Sequence, residues 1–99
     1  MKSMRFLPEL KAFLSQQGVI YTVRGFKMTR AEVHVEGVGV CSRVLIDRVV
    51  GQEGLIPYVS QSGFDSLETW VKKIAQFIPE GGDAWLYEVV SLEREAGEE

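Results

Sequence analysis

Three strand-like stretches follow one another along the chain without a helix between them, and this order most constrains the fold. Residues 19–24 are rich in β-branched and aromatic side chains, and residues 31–36 alternate apolar with polar ones. Residues 40–50 form a third, longer stretch of the same kind. Such composition and period-2 alternation are typical of strands. Because a doubly wound sheet needs helices between successive strands, the order excludes a Rossmann-type fold.

The third stretch indicates a curved sheet. Its alternation places Arg43 and Asp47 on a polar face, yet Leu45 shares that face. We therefore expect both faces to be partly covered, as in a strongly curved sheet or small barrel with helices or loops packed outside it.

Helices are predicted on both sides of these strands. Pro8 suits a first helical turn and Gly18 ends the segment, which predicts a helix over residues 7–17. After an irregular loop that begins at Gly51, Asp65 is expected as the N-cap of a second helix, which Pro79 ends. Its outward face is expected to carry Lys72, Lys73 and Gln76. A final strand over residues 84–90 completes an α+β fold.

The composition is that of one globular domain. Of the 99 residues, 45% are hydrophobic and 25% are charged, and no apolar run is long enough to span a membrane. We assign residues 1–92 to a single domain and expect the acidic segment 93–99 to be a disordered tail. Cys41, the only cysteine, is expected to be buried, and a cytoplasmic location is expected because no intramolecular disulfide can form.

No metal or cofactor is expected from the residue pattern. His34 is the only histidine and lies between two glutamates on the polar side of its strand, so a solvated imidazole is favoured over a metal ligand. The glycines of residues 51–54 are not followed by the Lys-Ser/Thr pair of a phosphate-binding P-loop. Trp70 and Trp85 lie on apolar faces and are expected to pack in the core.

The charge distribution favours a nucleic-acid partner more than the net charge of −3 does. Residues 1–30 carry six basic side chains against one acidic side chain. Arg24, Lys27 and Arg30 lie near Tyr21 and Phe26, so phosphates could bind the cations while bases stack on the rings. The alternative is an ordinary solvated loop whose cations pair with neighbouring glutamates.

Arg24 is the strongest single candidate for a phosphate or base contact. It ends its strand on the same face as Thr22, and its guanidinium can donate two parallel hydrogen bonds to a phosphate. The alternative is an ion pair with a carboxylate of the barrel, such as Asp47 or Glu88.

Three segments, taken in order, resemble the ASCH domain. The first is Gly18 followed by the strand that contains Thr22-x-Arg24, and the second is residues 35–39 running into the long strand. The third is Ser62-Gly63-Phe64, the second helix and residues 85–89. The resemblance implies a PUA-like β-barrel of five or six mostly antiparallel strands, flanked by two main helices. It also implies a cleft beside the Thr22-x-Arg24 strand and an association with RNA.

One branch of the family that the chain resembles consists of amidohydrolases, and the chain differs from that branch at two catalytic positions. Val19 stands where that branch has a lysine, and Ser62 stands roughly where it has a glutamate. Valine cannot act as a base or nucleophile, so catalysis is not expected. Thr22 and Arg24 do match and are the weak catalytic candidates.

The predicted function is binding of RNA or a nucleotide without established catalysis. It requires the cationic side chains of the first third to gather around one concavity. A hydrolase acting on a modified nucleoside and a protein-interaction adaptor remain alternatives, a homodimer is possible, and no membrane partner is expected. The predicted RNA contacts are Tyr21, Thr22, Arg24, Phe26, Lys27, Arg30 and Ser62.

Overall fold

The computed structural model describes residues 2–27, 31–79 and 81–92. Its strands are β1 Lys2–Met4, β2 Val19–Arg24, β3 Ala31–Val35, β4 Gly39–Arg48 and β5 Trp85–Ser91. Its helices are α1 Pro8–Gln17, the 3₁₀ helix Gln52–Gln61 and α2 Leu67–Phe77. The predicted α+β class is therefore confirmed, with five strands and three helices.

The five strands form one mixed sheet that curls into a half-barrel, in the order β1-β3-β4-β5-β2. β1 runs parallel to β3, and the other neighbouring pairs are antiparallel. The register of β4 against β5 shifts between Leu45 and Asp47, and such a bulge bends a strand and increases its twist. β1 and β2 are the two edges of the sheet, so the half-barrel has an open side between them.

Hydrophobic clusters cover both faces of the sheet. Leu10 and Leu14 of α1 pack on the face that carries Ile20 and Val89, which we call the α1 face. The opposite face, which we call the α2 face, packs against the 3₁₀ helix and α2 through a cluster of buried side chains: Val23, Leu55, Trp70 and Leu86. Successive strand residues point to opposite faces, so one strand supplies both clusters. The expectation that both faces are covered is confirmed.

The expectation of an irregular loop after Gly51 was wrong, because residues 52–61 form a 3₁₀ helix. Pro57 lies inside this helix and has no N–H to donate, and the sequence shows little helical periodicity there. Leu55 is only 2% exposed and packs against the α2 face. Tertiary packing, more than local propensity, therefore stabilises this segment.

Smaller corrections concern the ends of elements. β1 was not predicted, because three residues carry no usable pattern and pair with β3 through backbone hydrogen bonds. α2 begins one residue later than expected, since Ser66, and not Asp65, is its N-cap and accepts a hydrogen bond from the Thr69 N–H at 3.2 Å. Cys41 is buried, as expected. Arg30 and the segment 93–99 lie outside the described residues.

Within the described residues, none of the helices has the length and apolar character needed to cross a lipid bilayer.

Gly63 is predicted to be a sensitive position, because it combines a left-handed backbone with close packing. Its φ is +86°, and a Cβ there would lie 2.6 Å from Leu10 Cδ2 in the core. We expect Gly63→Ala to lower the free energy of unfolding by about 2–3 kcal/mol, from backbone strain plus overpacking. Urea unfolding followed by tryptophan fluorescence measures this change.

Gly37→Ala is the matched control. Gly37 has a φ of +87° but no atom within 4 Å of a Cβ, so this variant carries the backbone strain alone, about 1 kcal/mol. Equal losses in the two variants would contradict the packing argument.

Candidate functional site

A cleft of about 430 Å³ opens at the β2 edge of the half-barrel. Its walls are the segment 5–7 after β1, the end of β2 and the inward side of α2. The volume lies in the range of about 300–1,000 Å³ that is typical of small-molecule sites. The lining is mostly apolar, and its aromatic members are Phe6, Phe64, Trp70 and Phe77.

Arg24 lies at the end of β2 and lines this cleft. One terminal N–H of its guanidinium donates a hydrogen bond to the Arg5 carbonyl at 2.8 Å, and its Cζ lies 5.0 Å from the centre of the Phe6 ring. Its Nε is buried and has no hydrogen-bond partner among the described residues. Neither Asp47 nor Glu88 forms an ion pair with it, so the proposed carboxylate partner is not observed.

Burial is the main cause of a lowered pKa at Arg24, and the positive charge of Arg43 adds to it. Arg43 projects from the middle of β4 and is only 3% exposed. Its Cζ lies 5.5 Å from the centre of the Tyr87 ring and 5.6 Å from that of Phe26. The Arg24 guanidinium is therefore partly desolvated and lies near a second cation, which favours the approach of an anion.

Thr22 and two further cations complete the polar part of the cleft. Thr22 is buried and lies two residues before Arg24, on the same face of β2, and both side chains line the cleft. Arg5 and Lys73 contribute the other positive charges. The described lining residues include no aspartate, glutamate, histidine or cysteine. The arrangement suits a ligand that has an apolar or aromatic body and a negative charge.

Tyr21 lies away from the cleft, on the α2 face. Its hydroxyl donates a hydrogen bond to the Glu88 carboxylate at 3.1 Å, and its ring centre lies 4.7 Å from that of Tyr58. Burial and the Glu88 carboxylate raise the pKa of Tyr21. The structure thus separates Tyr21 from Arg24, because strand neighbours of opposite parity point to opposite faces.

Ser62 is buried and does not line the cleft. Its Oγ donates a hydrogen bond to the Val59 carbonyl at 2.7 Å and accepts one from the Phe64 N–H at 3.1 Å. These bonds hold the turn between the 3₁₀ helix and α2. Val19, the residue at the lysine position of the amidohydrolase branch, pairs with Val90 in the sheet.

Phe26 and Lys27 lie at the rim of the half-barrel, beyond the end of β2. The Phe26 carbonyl accepts a hydrogen bond from the Tyr87 hydroxyl at 2.6 Å, and the Phe26 side chain is 41% exposed. The Lys27 Nζ lies 5.2 Å from the centre of the Trp85 ring. Of the predicted contacts that the structure describes, Thr22 and Arg24 therefore line the cleft, and Phe26 and Lys27 lie at the rim.

Two positions were assigned to the wrong surface at the sequence level. Lys73 was expected to face outward but lines the cleft, and its spacing of three from Trp70 and four from Phe77 was the available signal. Arg43 was expected on a polar face but is buried on the same strand face as Cys41. That parity was visible in the sequence, yet a charged residue inside a sheet is too uncommon to predict from alternation alone.

Comparison of the chain with protein-family models, with curated proteins and with solved structures found no match.

Arg24→Met is expected to leave the fold intact. The substitution loses the hydrogen bond to the Arg5 carbonyl but removes a poorly compensated charge from the cleft wall, while the methionine keeps contact with Phe6. We expect a free energy of unfolding within about 1 kcal/mol of wild type, or above it. Denaturant unfolding measures the difference.

Arg24→Ala is the companion variant, because it also removes the apolar stem and leaves a gap beside Phe6. It should be the less stable of the two. A loss above about 2 kcal/mol in both variants would show instead that the guanidinium bond to the Arg5 carbonyl is a main support of the fold.

Proposed function

We propose that this protein binds RNA or a nucleotide in the cleft beside β2, as an ASCH-type domain. One observation carries the proposal: Arg24 is a half-buried cation without a carboxylate partner among the described residues, in the wall of a cleft with aromatic lining. A charge that is partly removed from water and lacks a counter-ion carries part of the cost of a buried charge, and a bound phosphate would compensate it.

The two parts of a nucleotide match the two parts of the cleft. A base is flat and largely apolar on its faces, so it suits the aromatic region that Phe6, Phe64 and Phe77 contribute. Trp70 lines the same region but is only 2% exposed. The phosphate would lie against Arg24, with Arg5 and Lys73 near enough to add charge. Guanidinium groups donate paired hydrogen bonds to phosphate oxygens, which fixes orientation as well as affinity.

The position of the cleft supports the ASCH-type proposal. The resemblance implies a cleft beside a Thr-x-Arg strand, and Thr22 and Arg24 both line the cleft at the end of β2. Of the cations in the first third of the chain, Arg5 and Arg24 line the cleft. Lys73 of α2 adds a third cation, whereas Lys27 lies at the rim.

Binding is favoured over hydrolysis by the chemistry of the lining. Hydrolysis of an acylated nucleoside needs a titratable group that can move a proton near neutral pH. The described lining residues with polar side chains are Arg5, Thr22, Arg24 and Lys73, none of which is an ordinary general base. Binding needs only the cations and rings that are present.

Titration with nucleoside monophosphates tests the proposal. Trp70 lines the cleft, so its fluorescence should change when a base enters, and a Trp85→Phe background leaves it as the only tryptophan. We expect nucleoside monophosphates to bind more tightly than either inorganic phosphate or the nucleosides, with affinity that falls as salt rises. Arg24→Met should weaken binding about tenfold or more.

Lys72→Ala is the control for general charge, since Lys72 is exposed on α2 and does not line the cleft, whereas its neighbour Lys73 does. Lys72→Ala should leave the affinity unchanged. Lys73→Ala should reduce the slope of log affinity against log salt concentration by the amount expected for about one phosphate contact. Absence of binding by the wild-type protein at low salt would end the proposal.

A further inference from the structure

A second cluster of cations lies at the rim of the half-barrel, next to the cleft. Trp85 opens β5 and is half-buried, with the Lys27 Nζ 5.2 Å and the Arg48 Cζ 6.0 Å from its ring centre. Both cationic side chains are exposed. The Trp85 ring therefore positions two separate positive charges at one place on the surface.

The sheet register connects this rim cluster to the cleft. Trp85 pairs with Arg24 of β2 on one side and with Arg48 of β4 on the other. The three residues form one row across the sheet, so the backbones at Arg24 and Arg48 are two strand spacings apart, about 10 Å across the sheet. This exceeds the axial rise of about 3.4 Å per nucleotide in a stacked strand. A bound strand that reaches both cations must span more than one stacked nucleotide or be unstacked.

The existing partner of Arg48 does not block this use. Arg48 forms an ion pair with Asp83 at 2.9 Å, but both side chains are more than half exposed, at 57% and 59%. Exposed ion pairs contribute little because water and salt screen them. A phosphate can therefore replace the Asp83 carboxylate at small cost. Phe26, the residue before Lys27, is also exposed at the rim.

We infer that the rim cluster of Lys27, Arg48 and Trp85 is a second phosphate subsite, and that the ligand is single-stranded RNA running from the cleft across the rim. The inference rests on the proposed function, because the first nucleotide occupies the cleft. Lys27 and Arg48 would touch the phosphate, and Trp85 would act as a positioning residue. A duplex does not suit the site, since a base buried in the cleft cannot remain paired and stacked.

A length series separates the two proposals. Uridine monophosphate, diuridylate and hexauridylate are titrated into the wild-type protein by calorimetry at low salt. We expect affinity to rise with length, by about tenfold from the monophosphate to the hexamer. In Lys27→Ala/Arg48→Ala, this increase should disappear and the salt dependence of hexamer binding should fall by about one to two phosphate contacts. Its affinity for the monophosphate should be unchanged.

Two further variants make the test specific. Lys11→Ala/Lys72→Ala removes the same amount of charge from side chains that line neither the cleft nor the rim, and should leave the length dependence intact. Asp83→Asn releases Arg48 from its ion pair and should strengthen hexamer binding by about twofold to threefold.

The outcomes distinguish the two proposals. If uridine monophosphate and the hexamer both fail to bind, the proposed function is wrong. If the monophosphate binds but length adds no affinity, the rim subsite is wrong and the cleft remains. A length dependence that survives in Lys27→Ala/Arg48→Ala, or is lost equally in Lys11→Ala/Lys72→Ala, also overturns the rim subsite.

Discussion

The structure depends on a sheet that curls but does not close. β1 and β2 are its two edges, and instead of backbone pairing between them, a guanidinium bond from Arg24 reaches the Arg5 carbonyl just after β1. Full closure into a barrel would satisfy both edges and leave no gap. The cleft beside β2 lies at this open side, where the segment 5–7, the end of β2 and α2 meet.

Arg24 and Arg43 place two cations on the same face of the sheet, where water reaches them only in part. Arg43 is almost fully buried against aromatic rings, and Arg24 has a lowered pKa because burial and its neighbour disfavour the charge. Apolar residues of similar volume often stabilise such positions better. Proteins that retain costly polar groups commonly do so at sites where function needs them. The partly desolvated Arg24 therefore agrees with the binding site that we propose in the cleft.

The sequence predicted the parts of the fold that have strong local patterns. The two α-helices, β2, β3 and β4 follow from apolar periodicity, and Cys41 was correctly expected in the core. The 3₁₀ helix was missed because long-range packing of Leu55 stabilises it. Arg24 was identified from its strand position, whereas Arg5 joins the site only because the sheet curls. Tertiary geometry decides which cations line the same concavity, and the sequence pattern does not contain this information.

The pairing of β2 with β5 determines when the sheet can be completed during synthesis of the chain. Val19 pairs with Val90, so β2 can pair only after β5, about 70 residues later in the chain, has been synthesised. At ribosomal rates of about 5–20 residues per second, β2 remains without its neighbour for several seconds. Contacts this distant in sequence slow folding. The wall that carries Arg24 therefore takes its final shape, and the cleft forms, only after nearly all of the described chain has been synthesised.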